Sequence, residues 1–271
     1  MVTTALNLPG PAACARLRDL GAAVTKVEPP SGDPMEAFNP SWYRRLHEHI
    51  DVRRLDLKQD AGREALAGLL EATDILVTAQ RASALARLGL DASSLAQRFP
   101  RLCHVAITGH APPRDEVAGH DLTYLAEHGL ISPPALPLTL FADMAGAERA
   151  VSTALALVLA RNRDGRGRAA AAPLADAAEW LAQPLAEGLT RPGALLGGGR
   201  AGYNVYAAKK GWIAVAALEP HFEKRLAQSL ALPHLTSQAL ADVFEREDAE
   251  HWERWAREHD LPLVAIRQHT E

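Results

Sequence analysis

The sequence predicts an α/β fold with a parallel β-sheet. Segments typical of helices and of buried strands alternate through the first half of the chain. Alternation of this kind implies parallel strands that are joined by crossover helices. Such sheets bind ligands beyond the carboxyl ends of their strands, so we expect the loops after Val27, Val77 and Thr108 to hold the functional site.

The elements of the first half follow one another in a regular order. Pro9-Gly10-Pro11 predicts a turn, and Gly21 ends the helix that follows it. The first strand has little room, because it begins almost at Met1. The predicted strands cover residues 2–6, 23–27, 74–78 and 102–108, and the predicted helices cover residues 12–20, 62–70 and 95–99.

The second half predicts two long helices and then a small α+β unit. Lys209-Lys210-Gly211 separates two strand-like segments, as in a β-hairpin. The predicted helices cover residues 145–161, 174–189, 222–230 and 239–258, and the predicted strands cover residues 203–206 and 212–217. We therefore predict a large α/β domain over residues 1–200 and a small α+β domain over residues 201–271. The alanine run at 169–172 is the single low-complexity segment.

Composition excludes several classes of protein. Hydrophobic residues make up 48% of the 271 residues and charged residues 23%, which is typical of a folded globular protein. A net charge of −4 gives no general attraction to nucleic acid or to an anionic membrane. The N-terminus lacks a secretory pattern, so the cytoplasm is the expected location. Cys14 and Cys103 have no partner at metal-ligand spacing, and we expect no structural metal.

Several segments resemble, in shared order and spacing, the family III CoA-transferases, also called the CaiB/BaiF family. The start of that family is similar to the Pro9-Gly10-Pro11 turn, Asp19-Leu20-Gly21-Ala22 and Val24-Thr25-Lys26-Val27-Glu28. The later matching blocks are Gly32-Asp33-Pro34, Leu55-Asp56-Leu57-Lys58, Arg87-Leu88-Gly89-Leu90 and Ile107-Thr108-Gly109. Each block is weak alone, but together they extend over nearly the whole chain.

The nearest branch is that of the α-methylacyl-CoA racemases. Gly119-His120-Asp121 with Tyr124 is similar to their Gly-His-Asp-x-x-Tyr segment. Two further segments resemble acidic motifs of the family, Leu140-Phe141-Ala142-Asp143 and Ala217-Leu218-Glu219-Pro220. The resemblance implies a Rossmann-like large domain with a small domain, in a homodimer of two interlocked chains.

The resemblance also implies a catalytic set. His120 and Asp143 would remove and return the α-proton of an acyl-CoA thioester, Asp121 would orient or tune the imidazole, and Glu219 would assist as an auxiliary acid. A histidine suits this work because both of its protonation states exist near neutral pH. From the residues alone, Asp143 is equally suited to be an N-cap of the helix that follows it.

Coenzyme A carries phosphates, which basic side chains hold through charge-assisted hydrogen bonds. The candidates are Lys58, Arg81, Arg87 and Arg101, although arginines on solvated helix faces are common. We expect no cofactor beyond the coenzyme A of the substrate. Two alternatives stay open: a CoA-transferase in which Asp143 is a nucleophile, and a non-catalytic acyl-CoA-binding subunit.

Overall fold

The computed structural model describes residues 1–267, and its contacts divide the chain into two units, Met1–Ala182 and the residues from Gln183 onward. The first unit contains a six-stranded parallel sheet in the order β3-β2-β1-β4-β5-β6. The predicted α/β fold with a parallel sheet is therefore confirmed. The strands are β1 (Val2–Thr3), β2 (Thr25–Glu28), β3 (Asp51–Arg54), β4 (Ile75–Thr78), β5 (Cys103–Thr108) and β6 (Ala169–Pro173).

Nine helices begin in this unit, within the described part of the chain. They are α1 (Pro9–Asp19), α2 (Pro34–Phe38), α3 (Pro40–Leu46), α4 (Asp60–Glu71), α5 (Ala82–Arg87), α6 (Ala92–Arg98), α7 (Asp121–Glu127), α8 (Phe141–Asp164) and α9 (Leu174–Ala186). The predicted helix over residues 145–161 begins four residues earlier than expected, so Asp143 lies inside its first turn. This position satisfies the preference of acidic side chains for helix N-termini.

Apolar side chains cover both faces of the sheet. On one face, Val77 and Val105 pack with side chains of α1 and α8. On the other face, Leu76 packs with Leu66 and Leu70 of α4 and with leucines of α5 and α6. Neighbouring residues of one strand point to opposite faces, so a strand that is buried on both faces becomes apolar throughout. This three-layer arrangement fixes the carboxyl ends of the strands at one edge of the sheet.

Two strands of the sheet differ from the sequence-based expectation. The alanine run at 169–172 is not low-complexity linker but most of β6, which pairs in parallel with β5. The charged strand β3 was not predicted, because all four of its side chains are exposed and show no apolar pattern. Both strands are outer strands of the sheet, where a strand pairs with one neighbour only and its side chains need not all be large and apolar.

The second unit has an antiparallel sheet in the order β7-β8-β9. Its strands are β7 (Tyr203–Ala207), β8 (Trp212–Ala216) and β9 (Leu263–Ala265), and its helices are α10 (Pro220–Ser229), α11 (Ser237–Phe244) and α12 (Ala249–Glu258). The single helix that we predicted over residues 239–258 is two helices. The contact division at Ala182 lies earlier than the predicted domain boundary at residue 200, and that boundary stays a prediction.

Candidate active site

A cavity of about 770 Å³ lies at the carboxyl edge of the parallel sheet, inside the first unit. Its wall includes residues that end or directly follow three of the strands: Ala79 after β4, Thr108 and Gly109 at the end of β5, and Leu174 after β6. This is the edge at which parallel sheets bind ligands. Two of the three loops that we expected to hold the site, those after Val77 and Thr108, contribute to the wall. The third expected loop, after Val27, is followed by Pro34 and Met35, which also line the cavity.

His120 and Asp143 both line this cavity. His120 precedes the first residue of α7, and its backbone N–H donates to the Thr123 hydroxyl oxygen at 3.0 Å. The Thr123 hydroxyl in turn donates to the His120 carbonyl oxygen at 2.8 Å. These two contacts engage only the main chain of His120. The side chain is exposed, and the first turn of α7 holds it at the cavity wall.

Asp121 and Asp143 are joined by a hydrogen bond. Asp121 is buried, and its Oδ1 atom accepts from the backbone N–H of Asp143 at 3.0 Å. Burial, and then the negative charge of Asp121, raise the pKa of Asp143 from its ordinary 3.8 to about 7. Near neutral pH, Asp143 is therefore populated both with and without its proton. A group in this condition can both remove and deliver a proton.

The predicted basic residues occupy different places. Arg81 lines the cavity directly before α5, whereas Arg87 lines a second cavity of about 410 Å³. Lys58 is exposed beyond the end of β3 and lines neither cavity. The structure thus brings only Arg81, among these three, to the wall beside His120 and Asp143.

Arg101 lies at the opposite edge of the sheet. It precedes β5, and its guanidinium donates at 3.3 Å to the carbonyl oxygen of Gly165, the residue that ends α8. Arg101 does not line the cavity of His120 and Asp143, and its predicted role in holding coenzyme A stays a prediction. The arginine instead binds a carbonyl at a helix C-terminus, which is a common structural use of basic side chains. Glu219 belongs to the second unit, where it precedes α10, and its auxiliary role stays a prediction.

A buried charged network supports one wall of the cavity. The Lys26 ammonium bonds to Asp33 Oδ2 at 2.5 Å, to His47 Nε2 at 2.8 Å and to Glu28 Oε1 at 3.0 Å. The ligand-type atoms of Glu28, Asp33 and His47 lie within 4.8 Å of one another, which is the spacing of a metal site. Because Lys26 already bonds to all three groups, the ammonium itself supplies the positive charge at their centre.

Tyr124 is a cavity residue to which the sequence analysis gave no role. It follows His120 by four residues, and the two side chains line the same cavity. Residues at that spacing share one face of a helix, and this pattern is the signal that would have found it.

Within residues 1–267, no helix is both long and apolar enough to cross a membrane.

These features define an α/β protein with a candidate acid–base site at the carboxyl edge of its sheet. Residues 1–270 match the model of CoA-transferase family III, and the chain belongs to that family. It is 30% identical to the α-methylacyl-CoA racemase of Homo sapiens, over 90% of this chain and 70% of the racemase. It is also 34% identical to a cinnamoyl-CoA:phenyllactate CoA-transferase of Clostridium sporogenes, over 45% of this chain and 33% of that enzyme.

Solved structures share the fold at lower identity. A hypothetical protein of Mycobacterium tuberculosis superposes with a TM-score of 0.84 at 22% identity, over 99% of this chain and 82% of that one. A CaiB/BaiF family protein of Brucella suis gives a TM-score of 0.82 at 21% identity, over 98% of this chain and 82% of that one. The predicted family resemblance is confirmed.

Proposed function

We propose that the protein is a racemase or epimerase of 2-methylacyl-CoA thioesters, in which His120 and Asp143 are the two proton-transferring groups. One observation carries the proposal: an imidazole and a carboxyl group with a pKa of about 7 line one cavity. The similarity of most of the chain to the human racemase supports it. Both proposed groups must reach the same carbon atom, and a shared cavity meets that requirement.

The proposed reaction conserves all atoms and exchanges one proton. One group takes the proton from the α-carbon, and the electron pair of the broken C–H bond moves onto the thioester oxygen to give an enolate. The other group donates a proton to the opposite face of the same carbon, and the thioester carbonyl forms again. Which of His120 and Asp143 takes the proton depends on the configuration of the bound substrate. After one turnover the first group holds a proton that the second has lost, and proton exchange with water restores the starting state of both.

Other side chains would bind the substrate. Arg81 at the cavity, with Lys58 and Arg87 further along the same unit, would hold the phosphates of coenzyme A. Met35, Phe38 and Leu140 give the cavity an apolar wall that suits an acyl chain. Coenzyme A is then part of the substrate, and the proposed reaction uses no other cofactor.

We also propose that the chain works as a homodimer in the cytoplasm. Leu138 is 98% exposed and Trp180 is 65% exposed, and both are large apolar side chains. The resemblance to family III implies such a dimer, and a partner chain would cover exposed apolar side chains of this kind. Sedimentation equilibrium would test the dimer, and a monomer at all concentrations would contradict it.

The experiment for the racemase proposal follows the two faces of the α-carbon separately. The (R) and (S) forms of a 2-methylacyl-CoA are incubated in D₂O, and racemisation and deuterium incorporation are both measured. We expect the unmodified protein to do both, and His120→Ala and Asp143→Asn each to lose racemisation. Residual deuterium incorporation should be restricted to one enantiomer in each variant, and to opposite enantiomers in the two variants. Absence of exchange in the unmodified protein would contradict the proposal.

A CoA-transferase is the second candidate, favoured by the similarity to the Clostridium sporogenes transferase. In that reaction the Asp143 carboxylate attacks the thioester carbonyl, coenzyme A leaves as the thiolate, and a mixed anhydride remains. The thiolate then attacks the aspartyl carbonyl, the acyl group leaves as a carboxylate, and an acceptor acid receives the coenzyme A by the reverse steps. Addition of a free carboxylic acid separates the candidates, because only a transferase forms a new thioester. Binding of acyl-CoA with neither reaction would indicate the non-catalytic subunit.

A further inference from the structure

The phenol of Tyr124 reaches the cavity through a gap between two glycines. A side-chain Cβ atom at Gly109 would lie 2.5 Å from the Tyr124 hydroxyl oxygen. A Cβ atom at Gly119 would lie 2.5 Å from the Cε1 atom of the ring and 2.9 Å from the hydroxyl oxygen. Both separations are far below van der Waals contact, so glycine at these two positions gives the phenol its room.

The ring of Tyr124 is also held by a second histidine, His110. The His110 ring packs edge-on against it, with a centroid separation of 5.2 Å and an interplanar angle of 82°. The Nε2 atom of His110 lies 3.2 Å from the Glu127 carboxylate, which also accepts from Arg114 at 3.0 Å. The Tyr124 ring is therefore fixed before any ligand enters, and a fixed donor needs no reorganisation when charge develops.

The electrostatic surroundings keep the phenol neutral. Burial, and then the negative charges of Asp143 and Glu127, raise the pKa of Tyr124 above its ordinary value. The hydroxyl therefore retains its proton at neutral pH and can donate it in a hydrogen bond. Among residues 1–267, no protein group accepts a hydrogen bond from this hydroxyl, although Tyr124 lines the cavity together with His120 and Asp143.

We propose that Tyr124 is a further catalytic residue, whose hydroxyl donates a hydrogen bond to the thioester oxygen as that oxygen becomes an enolate. This inference rests on the proposed racemase function. The phenol keeps its proton throughout, so no bond is made or broken at Tyr124. A neutral donor inside a partly closed cavity stabilises the enolate more than the uncharged thioester, and such a difference accelerates the reaction.

The test is Tyr124→Phe, which removes the hydroxyl and keeps the ring that packs against His110. We expect kcat for α-deuterium exchange to fall about 100-fold, the typical effect of removing one oxyanion donor. Binding of the acyl-CoA itself, measured by calorimetry, should change less than about 3-fold, because the donor acts mainly on the charged oxygen. A 2-nitroacyl-CoA, whose ionised α-carbon imitates the planar enolate, should bind much more weakly to the variant.

Two further variants make the result specific. Gly109→Ala keeps Tyr124 but crowds its hydroxyl, and the same loss of kcat with retained acyl-CoA binding is expected. Tyr206→Phe removes a different buried phenol, which donates to the Ala201 carbonyl in the second unit, and should leave exchange unchanged. Thermal unfolding of each variant shows whether the protein remains folded.

The outcomes separate this inference from the function on which it rests. If the unmodified protein exchanges the α-proton and Tyr124→Phe does so at the same kcat, the role of Tyr124 is wrong and the racemase proposal stands. Equal losses in the binding of acyl-CoA and of the nitro analogue would also overturn the role, because they would indicate a structural effect alone. If the unmodified protein shows no exchange, both proposals fall together.

Discussion

The backbone N–H of Asp143 donates to the Asp121 carboxylate at 3.0 Å and so joins the first turns of two helices, α7 and α8. His120 directly precedes Asp121, so this one bond helps to position both proposed proton-transferring groups. The same contact places a negative charge beside Asp143 and adds to the effect of burial on its pKa. Asp121 therefore acts on both the position and the acidity of the site.

Replacement of Asp121 by Asn separates these two effects. The amide oxygen of Asp121→Asn can still accept from Asp143, but the negative charge is gone. We expect the pKa of Asp143 to fall, so that the limb of the pH–rate profile that reports Asp143 moves to lower pH. The measurement is kcat/KM for α-proton exchange between pH 5 and 9. Asp176→Asn, at a partly exposed carboxylate 3.5 Å from Arg149, is the control, and an unchanged profile in Asp121→Asn would contradict the prediction.

Asp143 should also make folding stability depend on pH. Its pKa is about 7 in the folded protein and 3.8 ordinarily, so between these values the folded state holds a proton that the unfolded state has lost. The free energy of unfolding therefore decreases as the pH rises from about 4 to about 7. The effect is at most ~4 kcal/mol, at ~1.4 kcal/mol per pKa unit. Urea unfolding at pH 5 and pH 8 should show a smaller decrease in Asp143→Asn, and an equal decrease would show that this carboxyl is not the cause.

His104 should also make the free energy of unfolding depend on pH, but here the free energy of unfolding decreases as the pH falls. Burial lowers the pKa of His104 from 6.5 to about 4, and its Nε2 atom lies 2.9 Å from the Thr78 hydroxyl oxygen. Its contribution is fully present above pH 6.5 and is lost as the pH falls to about 4, because only the unfolded state gains the proton in that window. The loss is at most ~3 kcal/mol. His104→Gln should flatten the dependence of urea unfolding on pH between 6.5 and 4, whereas His49→Gln, at an exposed ring, should not.

The sequence predicts the core of the fold better than its edges. Apolar segments reveal β4 and β5 because both strands are covered on two faces, whereas β3 is charged and exposed. The alanines of β6 have low strand propensity, and pairing with β5 places them in the sheet regardless. Tertiary contacts, which a local pattern does not contain, decide these two strands.

The candidate site shows the same division. His120 and Asp143 are recognisable from the motifs around them, but only the folded chain places them at one cavity. The basic residues are weaker predictions, because a surface arginine carries no sign of its partner. Arg101 illustrates this, since its guanidinium binds a helix-end carbonyl on the far edge of the sheet. Residue type alone does not separate that role from phosphate binding.

The ammonium of Lys26 is buried among charged side chains. Lys26 and Glu28 are 1% exposed and Asp33 is 3% exposed, so neither the charge nor its partners are solvated. His47 Nδ1 lies 2.7 Å from the Tyr43 carbonyl oxygen, which can only accept; Nδ1 therefore carries the hydrogen and Nε2 accepts from Lys26. All three ammonium protons thus have acceptors.

Lys26 also holds the cavity wall through Asp33. The second carboxylate oxygen of Asp33 accepts from the backbone N–H groups of Asn7 at 3.0 Å and Met35 at 2.9 Å, and both residues line the cavity. In Lys26→Met, the buried Asp33 loses its counter-charge and Glu28 keeps only the exposed Arg54 at 3.9 Å, and breaking a buried pair typically costs about 3–5 kcal/mol. We expect a loss of this size in the free energy of unfolding, measured in urea at pH 7. Lys26→Met combined with Glu28→Gln should recover part of the loss because one uncompensated charge is then absent, and a fully stable single variant would show that the network does not depend on the ammonium.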